Sequence, residues 1–468
     1  MRNAIASHAL VLSLFLSSRL AVGQAPGGHP ATDAPPPSRQ LDALVSPYLA
    51  SASFSGDVLV ARKGKVLFHE GYGLANRERA TSVTPRTKFY VASISKSFTA
   101  AAVLLLQERG KLRVGDSVSR YVPDFPNGEK ITLHHLLTHT SGIADYVRLP
   151  NFAEISRRPY TTAQVIALFR DQPAAFEPGK GSGYSNSNYV LLAHIVEKVS
   201  GSSFEGFLRE HFFQPLGLRN TGQEQSPEGS IPGMATGYVP VGLREFEKSP
   251  YFDHSISTGA GSLYSTAEDV MRWIQALFAG RVLKPASVEQ MYKPHPDGTP
   301  GYSWTLRKQW DRDVIIENGW DGVGFAATLM YVPAEEVIVV VLGNLNISTV
   351  TGEIANNLTA LALGEAASPL AIRQDPVPSE LASKLVGRYK LGDDFYVLGT
   401  VLAIVERDGN LYEQQRNPDR LVGLIRVSDR EFIHRSSWGR VRFDMNESGE
   451  VSGLLFFGRF KALKLSDR

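Results

Sequence analysis

The sequence predicts an α+β fold: an antiparallel sheet flanked by helices, with an inserted helical subdomain, followed by a small antiparallel β-barrel. Strand-like runs occur near residues 56–70 and again at 313–342, with a mainly helical stretch at 111–260 between them. One sheet assembled from both ends of the domain accounts for this order. After residue 384, short alternating apolar runs separated by turns are typical of a small barrel.

The composition excludes several kinds of chemistry. The chain has 468 residues, a net charge of +2 and no cysteine. Without cysteine there are no disulfides, thiolate nucleophiles, iron–sulfur clusters or cysteine-ligated zinc. The near-neutral charge does not support a nucleic-acid partner. With 43% hydrophobic and 21% charged residues, we expect an ordinary globular protein.

The N-terminus has the pattern of a signal peptide. Arg2 precedes a short apolar run at 9–16, and small residues follow it. We expect cleavage after residues 1–23, export to the periplasm or the medium, and a disordered Pro- and Ala-rich linker at 24–38. A disordered leader or an uncleaved anchor is the alternative, because Arg19 interrupts the apolar tail. The run is too short to span a bilayer, and we expect no transmembrane segment elsewhere.

The first half of the chain is predicted from local patterns. The elements are, in order, a helix at 39–49, strands at 56–62 and 66–70, a third strand at 88–91 and a helix that ends near Gly110. Farther along, Ser265 and Glu268 match a capping box and predict the start of a helix that runs through Leu277.

The second half returns to strands, which are predicted at 313–317, 326–332 and 337–342, before a helix at 351–363. The run at 337–342 is continuously apolar, as expected for a strand covered on both faces. We predict a first domain at 39–367, a linker at 368–383 and a lipocalin-like barrel at 384–468. Strands are predicted within the barrel at 395–398, 402–405, 421–427 and 451–457.

Ser93 and Lys96 are the first candidates for catalysis. They stand three residues apart at a predicted helix start, so their side chains share one face. The helix dipole favours partial negative charge on the Ser93 hydroxyl, and burial lowers the proton affinity of a lysine until it can act as a base. Together they form an activated nucleophile that needs no histidine. The same spacing also occurs at ordinary helix starts.

Tyr184 and Asn186 form a second candidate motif, before a helix predicted to begin near Tyr189. A tyrosine beside a cationic lysine can have a lowered pKa and exchange a proton with a substrate. An asparagine amide two residues later offers donors and an acceptor to an ester or amide. By itself, such a triplet is more often a turn.

Several runs together resemble the serine β-lactamase and penicillin-binding superfamily. They are the runs at 89–96 and 131–142, the Pro178-Gly179 pair before Tyr184-Ser185-Asn186, and the run at 215–218. The resemblance covers about residues 40–365. It is strongest to the class C-type branch, with its D,D-carboxypeptidases, D-aminopeptidases and β-lactamase-like esterases.

This resemblance implies acyl transfer through an acyl-enzyme, with no metal and no organic cofactor. It makes Ser93 the acylated nucleophile, Lys96 the base or proton relay and Tyr184 the general acid or base. It makes Asn186 the contact to the substrate carbonyl. The backbone N–H groups of Ser93 and Trp320 would stabilise the oxyanion.

The third motif departs from the pattern of the superfamily, in which Lys-Thr-Gly or His-x-Gly borders the site. Here Glu317-Asn318-Gly319 fits best, followed by Trp320. We predict that Glu317, Gly319 and Trp320 bind the substrate. Glu317 stands where a basic residue is expected; a register shifted by one residue would put Asn318 there. Because no basic residue is present to bind a substrate carboxylate, a β-lactam or a D,D-peptide fits this motif poorly. An ester, an amide lacking a nearby carboxylate, or a substrate with an amine fits it better.

The sequence therefore predicts an exported serine hydrolase, an esterase or peptidase acting on a small-molecule or peptide substrate. The alternative is a non-catalytic protein that keeps the fold and binds a peptide or peptidoglycan. His134, His135 and His139 are interpreted as scaffold, because no glutamate follows as in helical zinc sites. The absence of a Gly-x-Ser-x-Gly elbow argues against an α/β-hydrolase.

Overall fold

The computed structural model describes residues 38–224, 231–415 and 420–466, and it confirms the α+β fold class. The predicted signal peptide at 1–23, and all but the last residue of the linker predicted at 24–38, lie outside the described residues. Within the described part of the chain, no helix has both the length and the apolar composition needed to cross a bilayer.

An antiparallel sheet forms the centre of the first part of the molecule. In spatial order its strands are Thr305–Gln309, Arg312–Trp320, Ala326–Val332, Val337–Gly343, Gly56–Arg62 and Lys65–Tyr72. The N-terminal hairpin therefore pairs with the last strand of the domain, with Val58 opposite Val341. Both of these neighbouring strands contain several valines and are almost wholly buried. The two ends of the domain are therefore joined by a buried, apolar strand pair in the middle of the sheet.

Helices cover both faces of this sheet. One face carries Ser38–Ala50 and Ser348–Ala362. The other face carries Ala267–Phe278, with Ser95–Glu108 and the helical insertion behind it. The remaining helices on this side are Leu133–Leu137, Phe152–Ile155, Thr162–Phe169, Asn186–Ser200, Phe204–Leu208, Gln214–Leu216 and Pro285–Tyr292.

The predicted third strand is shorter than expected and belongs to another sheet. It consists of Phe89–Tyr90, which pairs with Leu263–Ser265, and Gly222–Gln223 completes this small sheet. Because both partners lie far along the chain, the local pattern could not place the strand.

The helix Ala267–Phe278 has a different cap from the one predicted. The Thr266 hydroxyl accepts a hydrogen bond from the Asp269 N–H at 3.3 Å, so Thr266, not Ser265, is the N-cap. Ser265 ends the preceding strand, and its hydroxyl is hydrogen-bonded to Thr221 at 2.8 Å. Two adjacent hydroxyl residues satisfy the same capping pattern, so the sequence alone could not choose between them.

A second hairpin lies in a region predicted to be mainly helical. Its strands are Tyr238–Val241 and Glu245–Lys248, and we call residues 238–248 the linking hairpin. The second strand is mostly exposed and charged, so it lacks the apolar alternation that would have predicted it. A shorter strand pair, Leu74–Asn76 with Thr81–Ser82, was also not predicted.

The C-terminal part is a closed antiparallel barrel, as predicted. Its strands are Gly387–Leu391, Val401–Arg407, Asn410–Gln414, Leu421–Arg426, Glu431–His434, Gly439–Met445, Val451–Phe456 and Phe460–Lys464. Apolar side chains such as Phe432 and Phe443 fill its interior. The strand predicted at 395–398 is wrong: these residues form a loop in which Leu398 is 74% exposed. The helix Ser379–Leu385, which was not predicted, packs against the barrel core.

Candidate active site

Ser93 lies in a short 3-10 turn, Ala92–Ile94, directly before the helix Ser95–Glu108. The turn is held from behind by the Val91 N–H, which donates to the Leu263 carbonyl at 3.0 Å. The α-helix thus begins two residues after Ser93, which lies just before its N-terminal end. This position exposes the hydroxyl to the positive end of the helix dipole.

Ser93 Oγ lies within hydrogen-bond distance of both the Lys96 amine and the Tyr184 hydroxyl. The Tyr184 hydroxyl is 2.7 Å from Ser93 Oγ, and Lys96 Nζ donates to the same oxygen at 3.0 Å. Lys96 Nζ also lies 5.0 Å from the centre of the Tyr184 ring. The structure therefore brings together the three side chains that the sequence motifs proposed for catalysis.

Lys96 is enclosed, with 2% of its surface exposed. Besides Ser93, it donates to Asn186 Oδ1 at 2.9 Å and to the Ala260 carbonyl at 2.6 Å. Burial lowers the pKa of Lys96 to about 7, although the carboxyl groups of Asp145 and Glu317 oppose the shift. A substantial fraction of Lys96 is therefore a neutral amine near pH 7, which is the form that can accept a proton from Ser93.

Tyr184 behaves differently from the sequence-based expectation. Although the residue is 39% exposed, desolvation raises the pKa of its hydroxyl, and the charges of Asp145 and Glu317 act in the same direction. The neighbouring lysine does not lower it, because a lysine with a pKa of about 7 is already neutral at the higher pH at which a tyrosine ionises. Tyr184 therefore holds its proton in the resting site and is suited to donate it.

Asp145 is a site residue that the sequence analysis missed. Its Oδ1 accepts a hydrogen bond from the Asn186 N–H at 3.1 Å, at the first turn of the helix Asn186–Ser200. Asn186 Nδ2 points at the same carboxylate, 3.3 Å from Oδ2. Asp145 is 9% exposed, and burial raises its pKa to about 6. It lies three residues after Gly142, the last residue of the run at 131–142, but no local pattern links it to a helix start 41 residues later.

Asn186 is therefore held at both ends of its amide. Its oxygen accepts from Lys96 and its nitrogen faces Asp145, so these two charged partners determine which way the amide points. The sequence-based role of Asn186 was a contact to the substrate carbonyl. In this arrangement it also orients Lys96, and its helix begins three residues before the predicted start at Tyr189.

Glu317 is buried rather than exposed to solvent. It is 4% exposed, its Oε2 accepts from Trp304 Nε1 at 2.8 Å, and its buried Oε1 has no hydrogen-bond partner among the described residues. Burial raises the pKa of Glu317 well above its usual range. Asn318 is on the opposite face, hydrogen-bonded to Thr328 at 3.0 Å. The register that puts Glu317 on the active-site side is the one present, but its carboxyl group is turned inward.

Gly319 lets this strand approach the turn that carries Ser93. A Cβ at Gly319 would lie 2.2 Å from the Val91 carbonyl oxygen and 3.3 Å from Ala92 Cβ. The next residue, Trp320, turns its ring away from the site, where its Nε1 donates to Asn346 Oδ1. The backbone of this strand end is therefore the part of the third motif that borders Ser93.

The three histidines take part in hydrogen bonds of the surrounding scaffold. His139 Nδ1 accepts from the Ser185 N–H at 3.2 Å, and burial together with Lys96 lowers its pKa to about 3. His134 is hydrogen-bonded to Tyr302 at 2.8 Å and Asp297 at 2.9 Å. His135 Nδ1 accepts from the Thr132 N–H at 3.3 Å. These contacts connect the run at 131–142 to its neighbours.

Comparison with known proteins places these observations in a family context. The family model described as beta-lactamase matches residues 41–364. PbpX of Bacillus subtilis is 32% identical over 318 residues, covering 68% of this chain and 77% of that protein.

Two solved structures resemble the fold. The penicillin binding protein from Bacillus halodurans is 28% identical, with a TM-score of 0.61, covering 69% of this chain and 98% of its own. The octameric penicillin-binding protein homologue from Pyrococcus abyssi is 25% identical, with a TM-score of 0.63, covering 91% and 99%. The second likeness extends over most of this chain.

Proposed function

Because the chain belongs to the beta-lactamase family, we propose that it is a serine hydrolase that cleaves an ester or amide through an acyl-enzyme on Ser93. The observation that carries the proposal is the pair of hydrogen bonds to Ser93 Oγ, from a buried lysine at 3.0 Å and with a tyrosine hydroxyl at 2.7 Å. A nucleophile joined to a base that is neutral near pH 7 is the arrangement that acyl transfer requires.

Acylation begins when neutral Lys96 accepts the proton of Ser93 as Oγ attacks the substrate carbonyl carbon. The oxyanion of the tetrahedral species lies between the backbone N–H groups of Ser93 and Trp320, and such a donor is worth about 3 kcal/mol. Tyr184 donates its proton to the leaving alcohol or amine as the bond to that group breaks. The proton held by Lys96 then restores the Tyr184 hydroxyl.

Deacylation uses the same groups in the reverse order. A water molecule gives up a proton to the Lys96–Tyr184 pair as its oxygen attacks the acyl carbon. When the ester bond to Ser93 breaks, Ser93 Oγ takes that proton back, and the carboxylic acid product leaves. Asp145 supports both steps by fixing the Asn186 amide against Lys96.

The third motif narrows the proposed substrate. Glu317 occupies the position where related enzymes carry a basic residue, and its carboxyl group is buried. A substrate carboxylate would thus meet no cation from this motif. An ester, an amide without a nearby carboxylate, or a substrate with an amine fits this site better than a β-lactam or a D,D-peptide.

Covalent labelling tests the proposal directly. A fluorophosphonate probe or a p-nitrophenyl ester should add one adduct to the intact protein, located on Ser93 by peptide mass spectrometry. Ser93→Ala should remove the adduct, whereas replacing the exposed hydroxyl residue Ser383 with alanine should leave it unchanged. A folded protein without any adduct on Ser93 would overturn the proposal.

The second candidate function is non-catalytic binding of a peptide or of peptidoglycan, which the missing cation of the third motif favours. In that case a labelled penicillin or muropeptide would bind reversibly, with equal affinity in wild type and Ser93→Ala. Turnover of esters and of D-amino-acid amides separates the esterase from the peptidase within the leading proposal.

We also propose that the protein is exported after cleavage near residue 23, and that residues 39–367 and 384–468 are its two domains. The N-terminal sequence of the protein recovered from the periplasm or medium tests the first point. A mature N-terminus at residue 1 would contradict it.

A further inference from the structure

The linking hairpin contacts the barrel at one end and the third-motif loop at the other. We infer that the barrel positions the loop at 321–325 through this hairpin, and that Arg435 is the positioning residue in the contact. The inference rests on the proposed function for its link to catalysis, because this loop directly follows Trp320, the proposed oxyanion donor. The contacts themselves do not depend on the proposed function.

The outer end of the hairpin is joined to the barrel by backbone hydrogen bonds. The Gly242 N–H donates to the Leu421 carbonyl at 2.9 Å, and the Gly423 N–H donates to the Gly242 carbonyl at 2.7 Å. This is a parallel bridge onto the barrel strand Leu421–Arg426. A Cβ at Gly423 would lie 2.7 Å from that same Gly242 oxygen, so the close approach requires glycine there.

Arg435 fastens the same junction with its side chain. It is a barrel residue with 0% of its surface exposed, and its guanidinium donates to the carbonyls of Val241, at 2.5 Å, and Glu245, at 3.0 Å. It also reaches the Ala52 carbonyl at 3.1 Å and lies 4.8 Å from the centre of the Phe246 ring. Burial lowers the pKa of Arg435 to about 10. A buried cation that bonds three carbonyls fixes the hairpin more firmly than an exposed ion pair would.

The inner end of the hairpin supports the loop at 321–325. The hydroxyl of Ser249, the residue after the hairpin, donates to the Val323 carbonyl at 2.5 Å. Gly237, the residue before it, packs against Gly324 so closely that a Cβ on either glycine would lie within 3 Å of the other's Cα. The residues before and after the hairpin therefore both contact the loop.

A second connection runs from the hairpin to Trp320 through Asn346. The Asn346 N–H donates to the Tyr238 carbonyl at 2.8 Å, at the start of the hairpin. The Asn346 side chain accepts from Trp320 Nε1 and donates to the Gly322 carbonyl at 3.1 Å. Asp321 closes the loop, since its Oδ1 accepts from the N–H groups of the next turn, including Val323 at 3.0 Å. Each step from barrel to third motif is thus a direct contact.

Two arginine variants distinguish positioning from simple stabilisation. Arg435→Met removes the contacts to the hairpin. Arg426→Met is the matched control: Arg426 is also a buried barrel arginine, 5% exposed, but its side chain donates to Asp375, Asp429 and the Pro376 carbonyl and not to the hairpin. In Arg435→Met, the rate at which an ester acylates Ser93 should fall about tenfold or more, with the loss in kcat rather than in KM. In Arg426→Met, the rate should stay within about twofold of wild type. Ser249→Ala should reproduce the loss from the inner end without altering the barrel.

Amide hydrogen exchange gives a readout that does not need activity. Exchange at residues 321–325 should speed up in Arg435→Met and remain at the wild-type rate in Arg426→Met. Unchanged exchange and unchanged acylation in a folded Arg435→Met, or equal changes in both arginine variants, would overturn the inference. If Arg435→Met does not fold, Ser249→Ala decides by the same two measurements. A wild type that is not acylated at all would contradict the proposed function, while faster exchange in Arg435→Met would still support the coupling.

Discussion

Lys96 sits between two buried carboxyl groups that do different things. Asp145 accepts hydrogen bonds from the backbone and amide of Asn186, and its charge raises the pKa of Lys96 more than that of Glu317 does. Glu317 has a single indole donor, from Trp304, and one oxygen with no partner among the described residues. A buried carboxylate with so little compensation favours its protonated form. The site thus combines a hydrogen-bonded carboxyl group, a second carboxyl group whose pKa is raised by burial, and a lysine whose pKa is about 7.

The first prediction concerns the pH dependence of acylation. Because the neutral amine of Lys96 is the proposed base and its pKa is about 7, the acylation rate should rise with pH through about 7 and then level off. Lys96→Arg keeps the positive charge but cannot lose it, so the rate should fall by at least about a hundredfold at every pH. Stopped-flow measurement of ester acylation between pH 5 and 9 checks both points. An unchanged profile in Lys96→Arg would exclude Lys96 as the base.

The second prediction concerns Asp145. The charge of Asp145 raises the pKa of Lys96, so Asp145→Asn should move the midpoint of the same pH profile below 7. The rate on the plateau should also fall about tenfold or more, since the Asn186 amide loses its fixed orientation. Asp297→Asn, at a half-exposed carboxyl bonded to His134, is the control and should leave the midpoint in place.

The third prediction uses stability to test the protonation of Glu317. The pKa of Glu317 is raised in the folded state, so its contribution to stability is full below its unfolded pKa and is lost as pH rises toward the folded value. Glu317→Gln keeps the shape and the bond from Trp304 but cannot ionise. The difference in free energy of unfolding, Glu317→Gln minus wild type, should therefore be at least about 1 kcal/mol larger at pH 8 than at pH 5.

Urea unfolding at the two pH values measures this difference. Glu336→Gln, at an exposed position on the turn after Val332, is the matched control and should track wild type at both pH values. A Glu317→Gln variant whose advantage shrinks as pH rises would show that Glu317 is stabilised as an anion.

At the scale of elements, the site depends on how closely one strand end meets one turn. The strand Arg312–Trp320 can reach the turn Ala92–Ile94 because Gly319 has no side chain. The helix Asn186–Ser200 brings Asn186 to the same place from the inserted subdomain. These elements come from separate parts of the chain, so their junction is a tertiary contact that no local pattern contains.

The fourth prediction tests this junction. Gly319→Ala would place a Cβ 2.2 Å from the Val91 carbonyl, so the strand or the turn must shift. We expect a loss of about 1–3 kcal/mol in the free energy of unfolding and a loss of acylation larger than that destabilisation explains. Gly343→Ala is the control, because its nearest new contact is 3.5 Å away. Thermal unfolding and ester acylation of both variants are the measurements, and equal activity in the two would contradict the prediction.

The elements also show what the sequence could and could not predict. The strand Ala326–Val332 and the candidate catalytic motifs could be found in the sequence because apolar runs and fixed spacings are local signals. The linking hairpin was missed because its second strand is charged and exposed, and Asp145 was missed because its partner lies 41 residues away. The inward orientation of Glu317 was beyond the sequence too, since a strand pattern gives the face of a residue but not the depth of its functional group.

At the scale of the whole molecule, the barrel is attached by more than the hairpin. Trp438 of the barrel donates to Glu353 on the helix Ser348–Ala362 at 2.8 Å, and Tyr48 of the first helix donates to the same carboxyl oxygen at 3.1 Å. The Tyr48 and Trp438 rings lie 5.7 Å apart. The barrel thus contacts both the helical layer on one side of the sheet and the linking hairpin. Buried contacts of this kind couple the unfolding of two parts.

The fifth prediction follows from this double attachment. Wild type should unfold on heating in one calorimetric transition, because the barrel cannot separate without exposing Trp438, which is 5% exposed, and the buried Arg435. Trp438→Ala should lower the free energy of unfolding by about 3–5 kcal/mol and split the transition in two, since the helical layer then loses its aromatic contact with the barrel. Leu463→Ala, at a barrel residue that is 71% exposed, should keep the single transition. Two transitions already present in wild type would mean that the barrel unfolds independently of the sheet. The effect of Arg435 on the third motif would then depend on local contacts alone and not on cooperative unfolding of the two parts.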